Sequence, residues 1–135
     1  AEHHFGLLRA DLSPKPAWAA YQAMVRLLGP RPVYEGPWEA LPPSWWQRGL
    51  RAYRFHNGRE PVVVLWNARG TRESLPLSAP AGGRPEVRDI FGQSLPSPPP
   101  PGQPWSLPID GAPLYLLGPG VDGVSLSEPG PGGDR

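Results

Sequence analysis

The sequence predicts a mainly β protein, a small antiparallel β-sandwich or sheet domain preceded by a single α-helix. Three observations lead to this class. Apolar residues recur at helical spacing within residues 15–28. A continuous run of apolar, mostly β-branched residues at 61–67 is typical of one buried strand. Further short apolar segments follow at intervals set by glycine and proline turns, which favours an antiparallel sheet or sandwich.

The helix is predicted over residues 15–28. Ser13 is suited to cap its first turn, and prolines at 14 and 16 lie where a missing N–H costs little. Gly29 and Pro30 end the pattern. Its apolar face consists of four residues: Trp18, Tyr21, Val25 and Leu28.

Residues 30–49 are rich in proline and tryptophan. Because prolines interrupt a regular hydrogen-bonded ladder, we expect an extended linker whose aromatic rings pack over the junction between helix and sheet. A second hypothesis gives three of these rings, Trp38, Trp45 and Trp46, to a sugar-stacking platform. Aromatic side chains more often serve as core or interface anchors, which favours the packing interpretation.

A β-hairpin is predicted next, with strands at 51–55 and 61–67. A four-residue loop at 56–59 keeps Pro61 opposite Arg54 and places it where the ladder needs no N–H donor. One face of the hairpin would carry Tyr53, Val62, Val64 and Trp66, and the other Val63 and Leu65. Since residues 61–67 are apolar on both faces, the strand is predicted to be central, with residues 63–66 all buried.

The remaining strands are predicted at 73–77, 86–91, 105–109 and 113–117. Residues 94–102 are proline-rich and predict an extended loop, and residues 118–135 predict a disordered tail. The chain then divides into a helical N-terminal part (1–29), a linker (30–49), a β-domain (50–117) and the tail (118–135).

Composition excludes several classes of function. The 13 basic and 12 acidic residues leave a net charge of +1 and are scattered, so neither a nucleic acid nor an anionic membrane is expected as partner. The lack of cysteine excludes disulfides, thiol nucleophiles and cysteine-based zinc sites. No glycine-rich phosphate loop or metal-ligand pattern is present, so we expect no metal and no cofactor. The sequence does not indicate the cellular compartment of the protein.

Three segments together resemble a known family. The string FGLLRADLSPKPAW at 5–18 resembles the passage from the last strand to the last helix of (β/α)8-barrel retaining glycoside hydrolases. VRDIFG at 87–92 and LPIDGAPLYL at 107–116 resemble strand segments of the β-domains behind such barrels. The resemblance covers residues 5–117 and implies the C-terminal part of a glycosidase.

The resemblance implies that this chain holds no catalytic residue. Such enzymes use two carboxyl groups, and in the family these follow barrel strands four and seven, which would lie upstream of Ala1. Glu2 matches neither motif, so the chain alone is expected to be inactive and its partner to be the catalytic barrel of the same polypeptide. His3 and His4 would border a sugar subsite or cap the barrel end.

Two other functions remain open at this stage. The chain could be an autonomous carbohydrate-binding module that uses exposed tryptophans, or an interaction protein that presents its proline-rich segment. A helix whose apolar face is left bare would need the barrel. A covered helix beside a flat row of exposed tryptophans would favour the module.

Overall fold

A computed structural model describes residues 16–79, 84–95 and 105–129, with the side chains of residues 16–18 left aside. The predictions for His3, His4 and most of the proline-rich loop lie outside these residues. The elements in chain order are α1 (Pro16–Leu28), β1 (Val33–Pro37), α2 (Pro43–Gln47), β2 (Leu50–His56), β3 (Pro61–Asn67), β4 (Glu73–Ser78), β5 (Glu86–Arg88), β6 (Trp105–Ile109), β7 (Leu114–Leu117), a 3-10 helix (Pro119–Gly123) and β8 (Ser125–Leu126).

The predicted mainly β class is confirmed. Antiparallel strands form a five-stranded sheet in the order β1-β2-β3-β7-β5 and a three-stranded sheet in the order β6-β4-β8. The main core holds apolar side chains from both sheets, among them Val63, Leu65, Leu75 and Ile109. A smaller cluster on the outer face of the larger sheet packs Leu27 of α1 against Val62, Tyr115 and Leu117. The helix therefore covers part of that outer face.

The β2–β3 hairpin keeps its predicted faces but not its predicted register. Pro61 pairs with His56 instead of Arg54, which pairs with Val63, and the loop comprises residues 57–60. The difference is two residues, and because side chains alternate with a period of two, every side chain stays on its predicted face. The observed loop has the predicted length of four residues but lies one residue further along the chain. It is stabilised by the Asn57 side chain, whose oxygen accepts hydrogen bonds from the backbone of Arg59 and Glu60.

Strand β3 is central, as predicted, but it is not buried evenly on its two sides. Val63 and Leu65 are fully buried in the main core. Val64 and Trp66, which were also predicted to be buried, are only half-buried. Among the described residues, helix α1 packs through Leu27 onto Val62, Tyr115 and Leu117 and leaves Val64 and Trp66 beside an open groove.

The segment predicted as an extended linker contains two regular elements. Strand β1 pairs with β2 at the edge of the sheet, with an irregularity between Tyr34 and Gly36. An edge strand tolerates Pro37 at its end, and the bulge at Gly36 (φ +99°) absorbs the extra residue. Helix α2 begins at Pro43, a position where proline lacks no needed donor.

The predicted disordered tail is wrong for residues 118–129. The 3-10 helix buries Val121, and Val124 is buried in the same core. Strand β8 pairs with β4 through Leu126 and Ser125. A few apolar residues in this glycine-rich segment are therefore enough to hold the segment against the main core.

Strand β5 is shorter than predicted because the chain turns after Arg88. The Asp89 carboxylate accepts hydrogen bonds from the backbone N–H groups of Phe91 and Gln93, and Gly92 takes a left-handed conformation (φ +82°). A Cβ on Gly92 would lie 3.2 Å from the Ala23 Cβ and 2.3 Å from Arg26 Nη2. The turn therefore lies directly against helix α1, and a side chain at residue 92 would press on Ala23 and displace the end of Arg26.

Gly92→Ala is expected to destabilise the domain by about 1–2 kcal/mol from the left-handed backbone, with a further loss from the contact with Ala23. Gly70→Ala is the matched control, since Gly70 has φ +80° and an added Cβ there meets nothing within 4 Å. Chemical denaturation gives the stabilities, and hydrogen exchange reports on α1. Equal losses of stability in the two variants, with equal hydrogen-exchange protection of α1, would contradict a role for Gly92 in the packing of the helix.

Candidate functional site

An open apolar groove lies between helix α1 and the uncovered half of the five-stranded sheet. Its volume is about 250 Å³. Eight side chains line it: Met24, Leu28, Tyr53, Phe55, Val64, Trp66, Pro113 and Tyr115. The groove exists because α1 packs through Leu27 onto one half of the sheet face and leaves the half near β1 and β2 open.

The apolar surface of α1 is broader than the part buried in this structure. Ala23 and Leu27 face the sheet and are buried. Tyr21, Met24 and Val25 are 47%, 38% and 44% exposed. With Leu28 these three follow the i, i+3, i+4, i+7 spacing of one helical stripe, which continues into the groove through Met24 and Leu28.

A cluster of aromatic rings extends the same surface across the sheet. Tyr53 lies at its centre, with ring centroids 5.6 Å from Trp66, 5.6 Å from Trp46 and 6.3 Å from Tyr34. Tyr34 also approaches Phe55, at 5.3 Å. The planes within these pairs are inclined by 38° to 75°. The rings therefore pack edge and face together and do not form one flat platform.

We name this surface the apolar face and define it by the helix stripe and the aromatic rings: Tyr21, Met24, Val25, Leu28, Tyr34, Tyr53, Phe55, Val64 and Trp66. The sequence placed Tyr53, Val64 and Trp66 on one side of the hairpin and predicted Val64 and Trp66 to be buried there. Whether these side chains are buried or exposed depends on how much of the sheet helix α1 covers. Helix α1 packs on part of this face, and Tyr53, Val64 and Trp66 line the groove that it leaves open.

Two of the three tryptophans proposed for sugar stacking are part of the core. Trp38 and Trp45 are 4% and 2% exposed, and the indole N–H of Trp45 donates to the carbonyl of Ser127 at 2.7 Å. Neither ring offers a face to a sugar. Trp46 is half-buried, with its ring against Tyr53 and the Arg51 guanidinium 5.6 Å from its centroid. The predicted platform is therefore reduced to one ring.

A polar cleft of about 610 Å³ lies where β1 ends, between Glu35, Arg54 and the 3-10 helix. Arg54 bridges its walls, because it bonds to Glu35 at 2.7 Å and to Asp122. The hydrogen bond to Asp122 is the main cause of the raised pKa of Arg54, which burial partly opposes. Because the Arg54 guanidinium bonds to carboxylates on both walls of the cleft, it links the edge strand β1 to the C-terminal segment.

No group of three or more histidine, aspartate or glutamate side chains in residues 16–79, 84–95 and 105–129 is arranged to hold a metal ion. Burial raises the pKa of the Tyr115 hydroxyl at the base of the groove. Within the same residues, no helix is long and apolar enough to cross a membrane.

No protein-family model matches the chain, and no curated protein matches it. Among solved structures, the chain is similar to an alpha-amylase from Anoxybacillus, described as giving insight into a new glycosyl hydrolase subclass. The two share 18% sequence identity with a TM-score of 0.37. The similar region covers 53% of this chain and 16% of the alpha-amylase chain.

Proposed function

We propose that this chain is a noncatalytic C-terminal β-domain of a (β/α)8-barrel glycoside hydrolase, and that its apolar face packs against the flank of the catalytic barrel. The barrel would hydrolyse the glycosidic bond. This domain would bury the last barrel helix and stabilise the barrel. The observation that carries the proposal is the bare stripe of α1, continuous with the aromatic rings of the sheet.

The physical argument rests on the cost of leaving this surface in water. Burial of apolar surface is worth roughly 25 cal/mol per Å², and large contiguous apolar patches are uncommon on monomers and mark interaction sites. Tyr21 and Val25 are exposed on α1, and Met24 lies beside them at the edge of the groove. A second layer over this surface would cover the stripe and the groove together.

A second support comes from the packing of α1 against the turn that follows β5. Helix α1 begins inside the PKPAW string, and the turn belongs to the VRDIFG segment. A Cβ on Gly92 of that turn would lie against Ala23 and Arg26 of the helix. In this proposal, the contact attaches the last barrel helix to the β-domain.

The competing proposal, an autonomous carbohydrate-binding module, retains less support. It predicted a covered helix beside a flat row of exposed tryptophans. Trp38 and Trp45 are buried, and the remaining rings are inclined to one another. Sugar binding through Trp46 alone is the form of this alternative that an experiment should address.

The isolated chain is expected to bind a hydrophobic dye and to self-associate with rising concentration, because its apolar face is open. Val25→Glu places a charge on the bare stripe and should lower both effects. Gln22→Glu is the matched control, since residue 22 is also exposed but lies on the polar side of the same helix. Dye fluorescence and sedimentation velocity measure the outcome.

A monodisperse monomer without dye binding would contradict the docking role. In parallel, oligosaccharide titrations followed by tryptophan fluorescence address the alternative. A saturable signal that Trp46→Ala abolishes, together with a monomeric chain, would establish the carbohydrate-binding module in place of the barrel-packing domain.

A further inference from the structure

The β2–β3 turn contains the reactants for a spontaneous cleavage of a side-chain amide. Asn57 is followed by Gly58, whose backbone nitrogen can attack the Asn57 side-chain carbonyl carbon and close a five-membered ring. Gly58 is exposed, and an added Cβ there would meet nothing within 4 Å. The attacking nitrogen therefore belongs to a residue that is open to solvent and has no side chain of its own.

The nucleophile is in contact with a base. The Gly58 N–H donates to Nδ1 of His56 at 3.0 Å. An imidazole that accepts at Nδ1 is neutral and carries its proton on Nε2. A peptide nitrogen must lose its proton as it attacks, so His56 occupies the position of a general base.

The electrophile is polarised by two hydrogen-bond donors. The Asn57 side-chain oxygen accepts from the backbone N–H groups of Arg59 and Glu60, each at 2.9 Å. Attack on this carbonyl converts its oxygen to an oxyanion, and N–H groups already aimed at that oxygen stabilise the developing charge. One turn thus places a base beside the attacking Gly58 nitrogen and two hydrogen-bond donors on the Asn57 side-chain oxygen.

We propose that Asn57 is a self-deamidation site of the folded chain, with His56 as the base. The Gly58 nitrogen forms a bond to the Asn57 side-chain carbon and passes its proton to His56. The carbon–Nδ2 bond then breaks, and His56 returns the proton to the leaving group, which departs as ammonia. Water opens the resulting succinimide to aspartate or isoaspartate, so the reaction needs water and no other reagent.

The modification would act on helix α1. The Nδ2 group that leaves as ammonia donates to the carbonyl oxygen of Leu27 at 3.0 Å, at the C-terminal end of α1. The carboxylate that replaces it has no N–H to donate, and it faces the negative end of the helix dipole. Deamidation would therefore loosen the helix from the sheet, independently of whether α1 also contacts a barrel.

The chain supplies its own control in its second asparagine. Asn67 is buried and followed by Ala68, whose N–H donates to the carbonyl of Gly49 at 2.8 Å, so no base touches that nitrogen. After incubation of the folded chain at neutral pH, peptide mapping by mass spectrometry should find a gain of one mass unit at Asn57 and none at Asn67. Asn57 should also react faster in the folded chain than in guanidinium chloride.

His56→Gln tests the role of the base. Glutamine can still accept the Gly58 N–H but is not basic, so deamidation should slow by about 10², the lower range for a positioned general base. In His56→Ala, added imidazole should restore the rate. Circular dichroism checks that both variants are folded. A folded chain that deamidates no faster than the unfolded chain, or a His56→Gln variant with an unchanged rate, would overturn the proposal.

Discussion

Val63→Asp is expected to unfold the domain or to lower its free energy of unfolding by roughly 4 kcal/mol or more. Val63 is fully buried on the central strand β3, between Arg54 of β2 and Leu116 of β7. Its side chain points into the core between the two sheets, where a carboxylate would have no partner. Small domains have only about 5–15 kcal/mol in total, so this single charge removes a large share.

Val64→Asp is the matched control, because it introduces the same charge one residue further along the same strand. Val64 lies on the half-buried side and lines the open groove. Its carboxylate can reach water, so a loss of only about 1–2 kcal/mol is expected. Guanidinium denaturation of both variants measures the difference. Equal losses would mean that the outer side of β3 is as tightly closed as the core.

The sequence contained enough information for the class and for the faces of the hairpin. Period-two alternation determines which side of a sheet a residue occupies, and it is unchanged by a register difference of two. The register itself depends on the loop, and here on the hydrogen bonds that one side chain, Asn57, makes to Arg59 and Glu60. Periodicity does not indicate which of two loop positions of equal length such local hydrogen bonds favour.

The errors at 33–37 and 119–126 have a common physical cause. Both segments have weak local propensity, with glycine and proline in short stretches, and both are held by tertiary contacts. Strand β1 is tied to β2, and Arg54 joins Glu35 of β1 to Asp122 of the 3-10 helix. Local composition predicts disorder or linker for such segments, because the partners that stabilise them lie far along the chain.

The candidate site was only partly accessible from the sequence. The apolar stripe of α1 was predicted, but whether the chain covers it depends on how five strands and one helix share a surface. The tryptophans illustrate the same difficulty. Trp38 and Trp45 lie in a proline-rich segment that looks exposed, yet both are core residues, whereas Tyr53 and Trp66, in regular strands, are open to the groove.

Deletion of residues 119–135 is expected to lower the free energy of unfolding by about 5 kcal/mol or more. Val121 and Val124 are 1% and 6% exposed, and burial of one such side chain is worth about 1.5–3 kcal/mol. The deletion also removes the carbonyl of Ser127 that accepts the Trp45 indole N–H. A buried donor left without a partner costs a further 1–3 kcal/mol or so.

Deletion of residues 130–135 is the matched control, because it leaves every one of these contacts in place and should leave stability unchanged. A single substitution separates the packing contribution from chain length. Val121→Asp in the full chain should lower stability almost as much as the long deletion, since it puts a charge into the core that the 3-10 helix covers. Tryptophan fluorescence during chemical denaturation follows all three variants. If the long deletion keeps the denaturation midpoint of the full chain, the C-terminal segment is not part of the folded core. If it unfolds while Val121→Asp stays stable, its contribution comes from β8 and the Ser44–Glu128 contact instead of from Val121.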